Sequence, residues 1–280
     1  MPIAHVNGVD LAYEEYGSGF PLIWCHEFAG SMESWDPQVH YFARRYRVIV
    51  YNARGYPPSG VPADPKAYSQ DMAVEDIYGL LRHLGIEQAH VGGLSMGGSA
   101  TLHFGLRHPE MARSLIIAAA GSGSTNPEEF RATSLAFADR LEREGAAAFA
   151  DYGNGATRQQ LKRKDPRGYD EFLRLLKAHS PAGSAGTMRG VQAGRPPIFV
   201  WEKEMQALRV PSLILVGDED EPCIEPSLFM KQHIPSSGLG MFPQSGHCIN
   251  LEEPDLYNRL VAEFLDAVEA GKWDSKEQGT

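Results

Sequence analysis

The spacing of hydrophobic and polar positions changes several times along the chain, and each change predicts a different element. Val9–Tyr16 alternates apolar and polar residues directly after the turn Asn7-Gly8, which predicts a β-hairpin at the start of the chain. Further on, short apolar β-branched runs alternate with longer amphipathic stretches. The predicted strands are 22–25, 47–51, 89–92 and 113–119, and the predicted helices are 69–84 and 95–107. This alternation predicts a mostly parallel central sheet flanked by helices.

The pattern changes between Gly121 and Leu208, where helical stretches such as 127–144 and 169–179 follow one another without a convincing strand. Within this block, Ser180–Thr187 consists almost entirely of small residues and predicts a flexible loop. Strand and helix alternate again from Val210. The last helix, 254–269, carries one apolar face made of Leu256, Leu260, Val261, Phe264, Leu265 and Val268.

Gly93-Leu94-Ser95-Met96-Gly97 has a glycine two positions before and two positions after a serine, between a predicted strand and a predicted helix. A sharp strand-to-helix turn imposes unfavourable backbone angles on its central residue and brings neighbouring segments close, so small residues are needed around it. Ser95 is therefore a candidate nucleophile.

Two later segments supply partners for this serine. The apolar run 211–217 ends in Gly217 and is followed by Asp218 and Asp220, and His247 follows the short strand-like segment 239–242. A serine hydroxyl needs an imidazole to remove its proton and a carboxylate to hold that imidazole. The residues alone leave both aspartates open as the acid.

Four motifs in this order resemble the α/β-hydrolase superfamily from Ile3 to about Glu269. Besides the serine turn and the acid and base segments, His26-Glu27-Phe28-Ala29-Gly30 is similar to the family's oxyanion loop, and 52–59 resembles its Asp-x-Arg-Gly-x-Gly-x-Ser loop with substitutions. The resemblance implies an α/β-hydrolase core formed by residues 1–121 and 208–270. It also implies an inserted helical cap at 122–207, and we expect a polar, frayed tail at 271–280.

The resemblance also implies roles for single residues. Ser95 would be the nucleophile and His247 the general base, and Asp220 is favoured over Asp218 because the family places its acid three residues after the glycine that ends the strand. The backbone N–H groups of Phe28 and Met96 would form the oxyanion hole.

Glu27 stands where this family usually has glycine, and it is the clearest departure from the pattern. Its carboxylate either points away from the pocket and pairs with an arginine, or lines the pocket and binds a polar substrate group or a water molecule. The other substrate-pocket candidates are His26 and Trp201. Arg189 and Arg195 are candidate clamps for a substrate carboxylate.

Composition limits the partners. A net charge of −10 without a basic stripe argues against nucleic acid or an acidic membrane surface, and predicts a small-molecule substrate. No apolar stretch reaches the ~18 residues of a membrane span, and no signal-peptide pattern is visible, so we expect a cytoplasmic protein. Cys25, Cys223 and Cys248 are predicted to be buried small residues, and the sequence predicts neither a cofactor nor a metal. The oligomeric state stays open.

The function implied by the resemblance is hydrolysis of a small to medium carboxylic ester or lactone through an acyl-serine intermediate. Three alternatives stay open: a C–C bond hydrolase of ring-fission products, a cofactor-free perhydrolase, and a ligand-binding receptor on the same fold. The glycine-poor oxyanion loop counts against the first, and only measured turnover separates the enzymes from the receptor.

Overall fold

A computed structural model describes residues 1–273 and contains one eight-stranded sheet with the strand order β1-β2-β4-β3-β5-β6-β7-β8. The first two strands form the predicted hairpin around Asn7-Gly8, and β2 also runs antiparallel to β4. All other neighbouring strands are parallel. The strands are β1 (Ile3–Val6), β2 (Val9–Tyr16), β3 (Phe20–Cys25), β4 (Tyr46–Tyr51), β5 (Ala89–Leu94), β6 (Ala112–Ala118), β7 (Ser212–Gly217) and β8 (Ser237–Phe242).

Helices cover both faces of this sheet, as the alternating pattern predicts. The α-helices are α1 (Asp36–Phe42), α2 (Gln70–His83), α3 (Met96–Arg107), α4 (Pro127–Glu144), α5 (Phe149–Gly153), α6 (Gln159–Lys164), α7 (Pro166–Lys177), α8 (Pro181–Thr187), α9 (Glu202–Ala207), α10 (Glu221–His233), α11 (Ile249–Glu252) and α12 (Pro254–Glu269). No helix in the described part of the chain is long and apolar enough to cross a membrane.

The buried strands explain why the sheet forms the core. Every residue of β5 and β7 is buried, as expected for parallel strands that carry helices on both faces. Helix α12 begins and ends where its apolar face predicts and packs against one side of the sheet. The fold class, an α/β sheet with a helical insertion, is confirmed.

The end of the chain differs from the expected frayed tail in its described part. Trp273 packs edge-on against Phe264, with ring centroids 4.6 Å apart, and its indole N–H donates a hydrogen bond to the carbonyl oxygen of Ser236 at 2.8 Å. Residues 271–273 therefore dock on the core because one aromatic side chain finds both an apolar and a polar partner. The rest of the predicted tail, 274–280, lies outside the described residues.

Helices α4 to α9 form a helical insertion between β6 and β7, called the cap below, and one loop prediction in it is wrong. Residues 181–187 form helix α8, and the Ser180 side chain caps it by accepting a hydrogen bond from the N–H of Gly183 at 3.1 Å. A side chain at Gly183 would overlap the carbonyl oxygen of Gly55, and one at Gly186 would meet the ring of Tyr68. The small residues of this segment therefore allow the cap to pack closely on the core, and they do not make the segment a flexible loop.

Candidate active site

Ser95 occupies the sharp turn between β5 and α3. Its backbone has φ 57° and ψ −110°, a conformation that is strained for a residue with a side chain. The N–H of Ser95 donates to the carbonyl oxygen of Ala118 at 2.8 Å, which fastens the turn to the neighbouring strand. Such strain persists only where the surroundings impose it, and here the turn places Ser95 at the carboxyl edge of the sheet, where it lines a cavity.

The glycines around Ser95 are required by close approach of the backbone. A Cβ at Gly97 would overlap the carbonyl oxygen of Cys25 at the end of β3, and a Cβ at Gly93 would overlap the carbonyl oxygen of Gly97. The pattern that singles out Ser95 in the sequence therefore has a direct steric cause in the fold.

His247 and Asp220 meet at the same edge. His247 Nδ1 lies 2.8 Å from Asp220 Oδ2, and both side chains are buried. The hydrogen bond to a carboxylate places the ring proton on Nδ1 and leaves Nε2 as an acceptor. The competing carboxylate of Asp218 is exposed and instead accepts a hydrogen bond from the N–H of Ser245 at 3.2 Å. Of the two aspartates that follow β7, only Asp220 contacts the imidazole.

The loop after β3 is held by His26, which does not line the pocket as expected. Its Nδ1 lies 2.6 Å from the carbonyl oxygen of Glu27, and its Nε2 accepts the N–H of Ala53 at 3.0 Å. With both nitrogens engaged, burial lowers the pKa of His26 to about 4, so the ring stays neutral. The His26 side chain therefore stabilises the loop that carries Phe28.

The two oxyanion-hole candidates, Phe28 and Met96, lie in the loop after β3 and at the start of α3. The Phe28 side chain is fully buried and packs against Tyr152 and Phe137 of the cap, so its ring fixes the loop from the cap side. Met96 is the first residue of α3, where backbone N–H groups have no partner within the helix. Within residues 1–273 neither amide donates a hydrogen bond to another group.

Glu27 is buried and forms a two-pronged ion pair with Arg158, which lies in the cap just before α6. Arg158 Nη1 lies 2.7 Å from Oε1 and Nη2 lies 2.5 Å from Oε2 of Glu27. Burial disfavours the carboxylate, but the positive charge of Arg158 and its hydrogen bonds outweigh this, so the pKa of Glu27 lies below its usual value. Glu27 Oε2 is also 4.0 Å from Nε2 of His247.

The first interpretation of Glu27 describes its contacts, because the carboxylate pairs with an arginine. Its Oε2 also lies 4.0 Å from the imidazole, but Glu27 is not among the residues that line the cavity beneath the cap. Arg158 is positioned further by donating to Cys248 Sγ at 2.7 Å and by lying over the rings of Tyr152 and Phe172.

A cavity of about 380 Å³ lies between the cap and the sheet edge, and Ser95, Asp220 and His247 line its floor. Its walls combine aromatic rings and Met188 with several polar side chains. The other lining residues are Ser122, Phe130, Thr133, Ser134, Phe137, Asp151, Tyr152, Gly155, Thr157, Arg158, Gln192 and Pro222.

Trp201 and the two arginines expected at the pocket lie elsewhere. Trp201 packs edge-on against His103, with centroids 5.2 Å apart, so the expectation that it lines the pocket does not hold. Arg189 forms surface ion pairs with Asp139 and Glu142. Arg195 donates to Ser122 and lies over the ring of Phe130, behind the cavity wall.

Sequence reasoning missed Arg158, the one cationic side chain that lines the cavity in the described part of the chain. A signal was present, because a glutamate in a buried loop requires a cation. The sequence did not indicate which of the cap arginines supplies it.

The three cysteines lie beside the catalytic segments. All three cysteines are buried and unpaired, as predicted. Among the described residues, Asp220, Cys223 and His247 bring possible metal ligands within 4.8 Å of one another. Asp220 and His247 already bond to each other, and the Cys223 thiol donates to the carbonyl oxygen of Ala119 at 3.2 Å. These contacts account for the cluster.

Residues 21–254 match the model of the α/β hydrolase fold family. The match spans most of the chain, so the protein belongs to this family.

Similar proteins match this chain over most of their length, and their names describe different activities. The 3-oxoadipate enol-lactonase 2 of Acinetobacter baylyi is 26% identical over 275 residues, which cover 93% of this chain and 97% of that protein. A 2-hydroxymuconate semialdehyde hydrolase of Pseudomonas putida is 29% identical, covering 91% and 90%. The solved structure of a thermophilic esterase from Thermogutta terrifontis matches with a TM-score of 0.85 and 27% identity, covering 95% and 98%.

Proposed function

We propose that this protein is a serine hydrolase that cleaves a small to medium carboxylic ester or lactone through an acyl-Ser95 intermediate. The observation that carries the proposal is the meeting of three features at one cavity. Ser95 sits on a strained turn, His247 is hydrogen-bonded to Asp220, and all three side chains line the same space.

In the proposed reaction, the substrate carbonyl oxygen accepts hydrogen bonds from the N–H groups of Met96 and Phe28. His247 Nε2 takes the proton of the Ser95 hydroxyl as its oxygen attacks the carbonyl carbon, and Asp220 stabilises the imidazolium that forms. The two amides stabilise the negative charge on the carbonyl oxygen, and loss of one such donor typically costs about 2.7–4 kcal/mol of barrier.

The leaving alkoxide then takes the proton from His247, which leaves Ser95 acylated. A water molecule gives one proton to His247 and attacks the acyl carbon, and the proton returns to the Ser95 oxygen as the acid departs. With a lactone, the leaving hydroxyl stays attached to the acyl chain. The same groups carry out both half-reactions.

The charges at the cavity favour a substrate without a carboxylate near the reacting carbon. Arg158 is the cation at the wall, and its charge is already matched by Glu27. Arg189 and Arg195, the other candidate clamps, bond to other groups. This supports a neutral ester over an acidic ring-fission product, and so an esterase or lactonase over a C–C hydrolase.

A panel of p-nitrophenyl esters with acyl chains of two to ten carbons tests the proposal. We expect hydrolysis of the shorter esters, covalent labelling of Ser95 by a fluorophosphonate, and loss of both in Ser95→Ala. Absence of turnover and of labelling in the folded protein would leave the receptor as the better reading. Peroxide added to the same assay separates a perhydrolase, which would form peracid from the acyl enzyme.

Cellular location and partners belong to the same proposal. A net charge of −10 supports a small-molecule substrate and no nucleic-acid partner, and we place the protein in the cytoplasm.

A further inference from the structure

We infer that Glu27 holds the water molecule that hydrolyses the acyl-Ser95 intermediate. The inference rests on the proposed function and adds a fourth side chain to its second half-reaction. In that step the water would donate one hydrogen bond to Nε2 of His247 and the other to Oε2 of Glu27.

The distance between the two acceptors supports this arrangement. Glu27 Oε2 and His247 Nε2 are 4.0 Å apart, too far for a direct hydrogen bond. Two hydrogen bonds of about 2.8 Å that meet at one water oxygen span such a gap at an angle of about 90°, which bent hydrogen bonds from one water can reach. Nε2 is the nitrogen left free by Asp220, so a water held there lies against the base that must deprotonate it.

The carboxylate of Glu27 is fixed before any substrate binds. Arg158 holds both of its oxygens, and Cys248 lies 3.4 Å from Oε1, so the side chain cannot turn away. Each carboxylate oxygen accepts more than one hydrogen bond, which leaves Oε2 able to accept one from water. A preorganised acceptor orients the nucleophile without loss of freedom during the reaction.

The position of Glu27 in the chain points to the second half-reaction. It directly precedes Phe28, whose N–H is proposed to bind the oxygen of the acyl group. In the proposed step, the water held between Glu27 and His247 attacks the acyl carbon while the N–H of Phe28, on the same loop, binds the acyl oxygen. In the first half-reaction the nucleophile is Ser95, which is held by its own backbone turn and does not need Glu27.

The step balances without another reactant. The water oxygen forms a bond to the acyl carbon, and its proton moves to Nε2 of His247. The bond between the carbon and Ser95 Oγ then breaks, and the proton passes from Nε2 to Oγ. Glu27 accepts a hydrogen bond throughout and keeps its charge.

Stopped-flow kinetics with p-nitrophenyl acetate separate the two half-reactions, because nitrophenol leaves in the first. We expect Glu27→Gln to slow deacylation roughly tenfold to a hundredfold while acylation changes less than about threefold. The acyl enzyme should accumulate and appear by mass spectrometry on Ser95. Hydroxylamine attacks esters without a general base, so it should restore turnover in the variant by forming the hydroxamate.

Glu252→Gln is the matched control. Its buried carboxylate accepts the N–H groups of Gly246 and Cys248, at 2.7 and 3.0 Å, and so positions the His247 loop without facing Nε2. Its loss should slow both half-reactions alike. Equal slowing of both steps in Glu27→Gln, or no slowing of deacylation, would overturn the inference.

A second variant guards against misfolding, because Glu27→Gln leaves Arg158 buried without a countercharge. The double variant Glu27→Gln/Arg158→Met removes both charges, and its deacylation should lag its acylation by the same factor relative to Arg158→Met alone. If the wild type forms no acyl-Ser95, the proposed function itself fails. If it does and the ratio is unchanged, only the role of Glu27 fails.

Discussion

The core and the cap both line one cavity, but the residues that each contributes are placed there by different features of the chain. In the core, Ser95, Asp220 and His247 lie in the loops that follow β5, β7 and β8. Because these strands are parallel, their carboxyl ends bring the three side chains to one edge of the sheet. In the cap, Arg158 reaches the site because several short helices pack in a particular way. Local sequence therefore determines the chemistry, and tertiary packing determines what surrounds it.

The comparison first predicts that loss of a core group removes activity while the fold persists. Asp220→Asn should lower kcat about 10³- to 10⁴-fold, because an amide cannot stabilise the imidazolium and favours the wrong ring tautomer. Asp218→Asn, two residues away and exposed, is the matched control and should retain near-wild-type turnover. Steady-state kinetics with a short ester measure both, and circular dichroism checks the fold. Comparable losses in the two variants would contradict the assignment of the acid.

For the cap we expect the opposite result, in which a substitution lowers the stability of the fold more than it lowers activity. Arg158→Met should lower the free energy of unfolding by about 3–5 kcal/mol, because it leaves the Glu27 charge buried and unpaired. Arg189→Met removes another cap arginine, but its ion pairs lie at the surface, so the loss should stay below about 1 kcal/mol. Urea unfolding followed by circular dichroism provides the comparison.

The double variant described above sharpens this test. Removing Glu27 together with Arg158 should recover much of the lost stability, because no unpaired charge remains. If Arg158→Met and Arg189→Met unfold at the same urea concentration, the ion pair between cap and core does not contribute as proposed.

What the sequence predicts correctly differs between the core and the cap in the same way. The hairpin, the parallel sheet and the limits of α4 and α12 follow from hydrophobic spacing, and the serine turn follows from glycines whose steric need is local. Contacts between side chains from distant segments cannot be predicted from such local patterns. Glu27 and Arg158 are 131 positions apart, and Trp201 faces His103 because of how the end of the cap packs. Ser180–Thr187 misleads because small residues suit both a loop and a closely packed helix.

The smallest expected effect tests whether the cap is as well packed as the core. Burial lowers the pKa of His179, in the cap, to about 4, as it does for His26 and His90 in the core. These rings stay neutral in the fold, whereas the unfolded chain takes up protons below its ordinary histidine pKa of about 6.5. The unfolded state therefore binds more protons between those values, and the free energy of unfolding should fall as the pH is lowered from 6.5 to 4.

His179→Gln removes one of these titrating groups and should make that fall shallower by up to about 1.4 kcal/mol per pH unit. Urea unfolding at half-unit steps of pH measures the slope for both proteins. The ring of His179 lies edge-on to Tyr56 of the core and Phe149 of the cap, so its titration reports on the contact between them. An unchanged slope would mean that water reaches this contact and that the cap is looser than the core beneath it.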